Sequence, residues 1–324
     1  MLNDQTPTTD GLTPEPTIVV SVSGGKDSTA TALVAISRHP RQHIRLVHFE
    51  TGNEHELTET YVRETLPAAL GLPVEILKAD FSNDIARKRR YIESNWPEKG
   101  VPPDRIRRAL ELLHPTGNPM LDLCMWKGRF PSRKAQFCTS ELKRFMSDAY
   151  MMKLMEHGAP LESWQGVRRD ESQARKDALE VERAAEGWLI RRPIVDWTAQ
   201  EVVDFVRASG VPLNPLYSLG CSRVGCMPCI NASKSEIANI ARRWPHHIAR
   251  IAEWERLVSE CSKRGETTFF ADSFNEGETT DQIFERLRIE NHVKWAMTSR
   301  GGKQSNLLQL LPSPSCSSSY GLCE

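Results

Sequence analysis

The stretch Thr17-Ile-Val-Val-Ser-Val22, followed by Ser23-Gly24-Gly25-Lys26-Asp27-Ser28 and then by Thr29-Ala-Thr-Ala-Leu-Val-Ala-Ile36, decides how the chain is read. A β-branched run gives way to a glycine turn and then to a helix-forming segment. Glycines let backbone N–H groups approach a ligand, and a helix N-terminus favours negative charge, so this geometry is an anion cradle. Lys26 adds a mobile cation, and Ser23 and Ser28 add hydroxyl donors. The spacing G-x-x-x-x-G-K-[ST] is absent, which separates this loop from those that serve cleavage at a γ-phosphate. The plain alternative is a glycine turn capped by Asp27 and Ser28.

Working outward, Ile44 to Phe49 and Val74 to Leu77 predict two more strands. Helices are expected at about Glu56 to Leu70, Asn83 to Ser94, Ser140 to Glu156, Ala199 to Ala208, Lys234 to Arg243 and His246 to Cys261. Leu161 to Val167 and Leu189 to Arg191 are further strand candidates. Strands alternating with helices imply an α/β fold with a doubly wound parallel sheet, whose ligands bind at the carboxyl ends of strands. The loop at 23–28 and the segment His48-Phe-Glu-Thr-Gly-Asn-Glu54 then open on one crevice. The expected organisation is a disordered leader at 1–15, a nucleotide-binding domain at 16–220 with an irregular insertion at 95–136, a cysteine cluster and helical region at 221–298, and a flexible tail at 299–324.

The chain has 324 residues, with 42 basic against 42 acidic side chains, so no global field drives it onto nucleic acid or membrane. Basic residues are nevertheless grouped, at Arg87-Lys-Arg-Arg90 and from Lys127 to Arg144. Such runs form a solvated helix face or meet a phosphate-rich ligand, nucleotide or nucleic acid. No apolar run is long enough to span a membrane and the first residues are not a signal peptide, so a cytoplasmic protein is expected. Eight cysteines in a reducing compartment argue for metal or redox chemistry over a disulfide framework.

Cys221, Cys226 and Cys229 form C-x4-C-x2-C, with Cys138 far upstream. Three clustered thiols and one remote thiol can ligate a four-iron cluster or a structural zinc ion. Cys226-Met-Pro-Cys229 before a helix can also act as a redox dithiol, which leaves Cys221 unexplained, and four unrelated buried thiols are the plain alternative. Spacing alone does not choose between iron and zinc.

Four segments occur in order: the loop at 23–28, Glu50-Thr-Gly-Asn-Glu54, Phe137-Cys-Thr-Ser-Glu-Leu-Lys143 and Gly166-Val-Arg-Arg-Asp-Glu-Ser172. Together they resemble the phosphoadenosine phosphosulfate reductase-like family of pyrophosphate-loop ATP pyrophosphatases, over about residues 17–270. Pro115-Thr-Gly-Asn-Pro119, Gly128-Arg-Phe-Pro-Ser132, Asn214-Pro-Leu-Tyr217 and Arg223-Val-Gly-Cys-Met-Pro-Cys-Ile-Asn231 resemble a branch found in prophages, plasmids and CRISPR-associated loci. DNA phosphorothioation members share the single cysteine followed by a late cysteine cluster. The resemblance therefore implies a 4Fe-4S cluster on Cys138, Cys221, Cys226 and Cys229, with Zn²⁺ as the alternative.

The resemblance also implies ATP with Mg²⁺ as ligand and cleavage between its α and β phosphates. Backbone around Ser23, Gly24 and Gly25, with Lys26 and Ser28, would hold the β and γ phosphates, and Asp27 would place Mg²⁺ or cap the helix. Glu50 and Asn53 would lie near ribose or metal, Arg129 and Arg133 near phosphates, and Gly166, Arg168 and Asp170 along the same crevice. Water as nucleophile gives AMP and pyrophosphate; a substrate oxygen gives an adenylated intermediate that a sulfur donor displaces. The acceptor class stays open between DNA, RNA and small sulfur compounds, in a protein complex or a homo-oligomer. Two further readings remain. One is a sulfonucleotide reductase using Cys316 or Cys323, although the tail Tyr320-Gly-Leu-Cys-Glu324 departs from the family's Glu-Cys-Gly-Leu/Ile-His and the reductases' loop usually lacks the Gly-Gly-Lys-Asp run. The other is a non-catalytic, nucleotide-gated module. His246 and His247 are expected to be structural.

Overall fold

In a computed structural model, the described residues are 15–156, 158–271 and 277–299. The expected leader and tail, with Cys316 and Cys323, lie outside them apart from residues 15 and 299. Six strands form one sheet: β1 (Thr17–Ser21), β2 (Ile44–Glu50), β3 (Val74–Lys78), β4 (Leu161–Trp164), β5 (Val181–Arg183) and β6 (Leu189–Arg191). Their order is β3-β2-β1-β4-β6-β5. Five run parallel, with Ile18 opposite Ile44 and Glu162 at the two flanks of β1. The edge strand β5 is antiparallel to β6, a hairpin closed by Ala184 N–H donating to Trp188 O at 2.9 Å. Val-Glu-Arg has no apolar alternation, which is why β5 is not foreseen from sequence.

Side chains alternate across a strand, so both faces of β1 are apolar and both are covered. On one face Ile18 and Val20 pack with α1 (Lys26–Arg38), α3 (Leu66–Leu70) and α9 (Ala199–Ala208). On the other, Val19, Val47 and Phe49 pack with Met151 of α8 (Phe145–Met155). The chain leaves β1 toward β2 on one side and returns through β4 on the other, so a switch point lies between β1 and β4.

The helix expected at Glu56 to Leu70 is three joined pieces. α2 (Glu56–Thr60) passes through a π turn at Tyr61–Thr65 into α3, with Leu66 N–H donating to Tyr61 O. Pro67 lacks an N–H and its ring crowds the carbonyl four residues back, and the wider turn relieves both.

The remaining helices build a second body of core. These are α4 (Ser82–Asn95), α5 (Pro103–Leu112), α6 (Pro119–Lys127), α10 (Lys234–Arg243), α11 (Pro245–Glu260), α12 (Thr280–Leu287) and α13 (Ile289–Ala296). Residues 95–136 are more regular than expected: they carry α6 besides α5, and Pro119 to Met125 are all buried. An all-round apolar helix shows no 3.6-residue alternation, so periodicity misses it. Leu121, Leu123 and Met125 share one apolar cluster with Ile237, Ile251, Trp254 and Ile289, so the expected insertion and the late helices are packed on each other. α12 and α13 lie in the helical region expected at 221–298, past the last individual helix read from the sequence.

Candidate active site

The loop at 23–28 adopts the strand-turn-helix form. Gly24 has φ +87°, in the region that favours glycine, and Gly25 is the N-cap of α1. Three loop N–H groups donate to hydroxyl oxygens: Ser23 to Ser28 Oγ at 3.2 Å, Gly25 to Ser23 Oγ at 3.3 Å and Lys26 to Tyr217 Oη at 3.0 Å. Hydroxyl contacts of this kind are replaceable by the oxygens of an anion. Ser28 Oγ in turn donates to Gly25 O at 3.0 Å, which closes the turn.

Behind the loop lies a buried charge set. Asp27 is 1% exposed; its Oδ1 accepts from Arg168 Nε and its Oδ2 from Lys26 Nζ, each at 2.7 Å. Arg168 is also buried and reaches Asp170. Asp27 is therefore a hub for two cations. Gly166 presses on this point from the end of β4: a Cβ there would stand 2.8 Å from Asp27 C and 2.9 Å from Ser28 N. Only glycine fits between the two elements.

A cleft opens beside the loop, lined by Ser23, Ser28, His48, Glu54, Lys143, Gly166 and Gly225 among others. His48 Nδ1 lies 2.8 Å from Val22 O, and burial pushes its pKa below the ordinary value. Glu54 folds the strand-end turn on itself: Oε1 accepts from Thr51 N at 3.1 Å, and Oε2 from Gly52 N at 2.9 Å and Asn53 N at 3.2 Å.

The cysteine loop is stitched to that turn. Glu54 and Cys226 form an antiparallel bridge, Met227 N donates to Asn53 O at 2.7 Å, and Thr51 Oγ1 is 3.4 Å from Cys226 Sγ. Asn53 Nδ2 donates to Pro228 O at 2.9 Å, while its Oδ1 accepts from Arg250 at 2.9 Å. Cys138, Cys226 and Cys229 line one pocket, shared with Lys143. Cys221 lines an adjoining one with Cys226 and Cys229. Burial first, then Glu54, pushes the Cys226 thiol up to about 12. None of the four is in a disulfide. They line two adjoining pockets; among the described residues, three or more His, Cys, Asp or Glu donors lie within 4.8 Å of one another only at His55, Glu56 and His247.

Residues 17–232 match the phosphoadenosine phosphosulfate reductase domain. The chain belongs to that family. An uncharacterised 37.8 kDa protein of Escherichia phage 186 is 46% identical over 94% of this chain and 96% of its own length, in keeping with the prophage branch the motifs resemble. Adenosine 5'-phosphosulfate reductases of Burkholderia cepacia and Rhizobium meliloti are 36% and 38% identical, each over 24% of this chain and about a third of their own length (32% and 30%). A solved phosphoadenylyl-sulfate reductase from Candida auris aligns with 66% of this chain and 83% of its own, at 16% identity and a TM-score of 0.41.

Within this reductase-domain chain, the expected site residues divide into two groups. Ser23 to Ser28, Gly166, Arg168 and Asp170 come together around the loop. Glu50 instead pairs with Arg63 and, at 3.1 Å, with Lys78 on the flank of the sheet. Asn53 is fully buried and pins the cysteine loop to α11. Arg129 and Arg133 are exposed and line neither the loop cavity nor the thiol cavities; Arg129 lies over Phe137 at 5.4 Å. Lys143, His48, Glu54 and Tyr217 lie in segments that the sequence singles out, but no individual role is assigned to them there. The place of Lys143 between the phosphate-loop and thiol cavities depends on the π turn at Ser140–Arg144, which no periodicity announces. Among the described residues, no helix is long and apolar enough to cross a membrane.

Proposed function

We propose that this protein binds ATP, taken as its Mg²⁺ complex, in the Ser23–Ser28 loop and cleaves it between the α and β phosphates. The observation that carries the reading is the loop itself, with three N–H groups held on exchangeable hydroxyl oxygens beside a cavity. Phosphate oxygens taking those places would be met by donors already aimed at them. Lys26 would leave Asp27 for the polyphosphate, and Arg168 would keep the Asp27 charge satisfied while it does so. Charge developing on the leaving pyrophosphate would be stabilised by the loop amides, Lys26 and Ser28. Asp27 and Glu54 are committed to Arg168 and to loop amides, so no protein carboxylate of the loop is assigned to Mg²⁺.

The attacking oxygen belongs to water or to an acceptor entering over Gly225 and Lys143. The thiols of Cys138, Cys226 and Cys229, with Cys221 beyond them, would be the ligands of an iron–sulfur cluster, with Zn²⁺ as the alternative. Such a cluster would hold or position sulfur beside the nucleotide. Its neighbours Lys143 and Thr51 would face that sulfur.

A second reading, sulfonucleotide reduction, is favoured by the names of the shorter curated matches. It requires a cysteine outside the described residues and predicts sulfite release that Cys316→Ser or Cys323→Ser abolishes. The test of the first reading is to incubate anaerobically purified protein with α-labelled ATP and Mg²⁺ and separate the products. Labelled AMP is expected, falling at least about 100-fold in Lys26→Ala. Labelled ADP, or AMP formation indifferent to Lys26, would contradict it.

A further inference from the structure

The N-termini of α2 and α11 face each other across a cluster that the nucleotide reading does not use. Glu56 Oε2 is 3.4 Å from His55 Nδ1 and 3.2 Å from His247 Nε2, and Glu56 Oε1 is 3.7 Å from His246 Nε2. His55 and His247 are 5% and 0% exposed at their side chains, against 61% for Glu56. Two buried imidazoles thus converge on one carboxylate that reaches solvent, with a third imidazole at the rim. The rings of His55 and His247 stack at 5.0 Å, and Trp244 closes the apolar side of His55 at 4.7 Å. His55 Nε2 and His247 Nδ1 are buried without a hydrogen-bond partner, so hydrogen bonding alone does not satisfy these rings.

We propose that His55, Glu56 and His247, with His246 at the rim, bind a first-row divalent cation such as Zn²⁺. Imidazole nitrogens with one carboxylate are the donor set such ions take, and one donor atom from each of the three residues already lies within 4.8 Å of the others. The charged groups around the site are Arg250 on α11 and the carboxylates Glu54, Glu56 and Glu59 that act on it. The Arg250 guanidinium is drawn off by Asn53 Oδ1 and Met227 O, each at 2.9 Å. Ligation by either nitrogen of His55 displaces the N–H of Leu57 from Nδ1, while Thr58 and Glu59 N–H stay on His55 O and keep α2 begun. The ion would clamp α11 to the residue next to Glu54, and so hold the wall of the nucleotide cavity in place.

The test is a Co²⁺ titration of the chelator-treated full-length protein, anaerobic and reduced, read by visible absorption. The expected result is a d–d spectrum without thiolate-to-cobalt charge transfer, kept in Cys226→Ser/Cys229→Ser and weakened at least about tenfold in affinity by Glu56→Gln. Glu56 is exposed, so its variant folds; His246→Ala at the rim gives a smaller loss. Zn²⁺ should raise the melting temperature of the parent and not of Glu56→Gln. No cobalt spectrum, charge transfer alone, or a spectrum unchanged in Glu56→Gln would overturn the proposal.

Discussion

The Ser23–Ser28 loop and the Cys221–Cys229 loop wall adjoining cavities and are built by opposite means. The first is made largely within six residues and the helix they start: the contacts of Ser23, Gly25 and Ser28 with one another span two to five positions, with Tyr217 and Arg168 as distant partners. The second has almost no structure of its own. It is held by Asn53, Thr51 and Glu54, residues about 175 positions away, and by Arg250. The difference teaches where each site is fragile. The phosphate loop depends on one buried charge set and one close approach, whereas the cysteine loop depends on a distant strand end and on the helices that carry it.

The largest effect should come from the charge set. Arg168→Ala leaves the Asp27 carboxylate buried with Lys26 alone and should cost about 3–5 kcal/mol, measured by urea unfolding. Adding Asp27→Asn should return much of that loss. A cost below about 1 kcal/mol would mean that the loop does not rest on this pair.

Next is a pH effect in the helical body. Glu255 is 2% exposed and accepts N–H bonds from Phe269 at 2.7 Å and Ile289 at 3.1 Å, yet burial pushes its pKa up to about 7 from 4.5. Between those values the folded chain keeps a proton that the unfolded chain has released. Stability should therefore fall as pH rises from 4.5 to about 7, by about 3 kcal/mol in all. Glu255→Gln should flatten that part of the profile, and an unchanged slope would remove Glu255 as its source.

Two smaller effects sharpen the contrast between the loops. Gly166→Ala drives a Cβ onto Asp27 and Ser28 and should cost about 1–3 kcal/mol, with weaker nucleotide binding by calorimetry and no change in thiol reactivity. Asn53→Ala removes the bonds to Pro228 O and Arg250 and should cost about 1–2 kcal/mol. Its signature is faster alkylation of Cys226 with the phosphate loop unaffected. Equal disturbance of both loops by either variant would break the comparison.

What could be read from sequence follows the same division. β1, its glycine turn and α1 are local, so Thr17 to Ser37 is legible at nearly its full length. β6 and α9 are found because Leu189–Arg191 and the capping box from Thr198 to Glu201 carry their own signals. α6 was hidden because it is apolar on all sides, and β5 because it is short and polar. The family resemblance assigns Glu50 and Asn53 to ribose or metal, but they sit at a strand end that also faces neighbouring elements. There, Arg63 and Lys78 take Glu50, while the cysteine loop and Arg250 take Asn53. Lys143 needed the third dimension altogether.

The measurement that tests the account most directly sets the two chemistries against each other on one anaerobic preparation. ATP with Mg²⁺ is supplied in one arm, and a sulfonucleotide with a dithiol reductant in the other; AMP with pyrophosphate and sulfite are quantified. The account predicts AMP and pyrophosphate in equal amounts from ATP, lost in Lys26→Ala, and no sulfite above the protein-free control. Sulfite release dependent on Cys316 or Cys323, with ATP left intact, would contradict it.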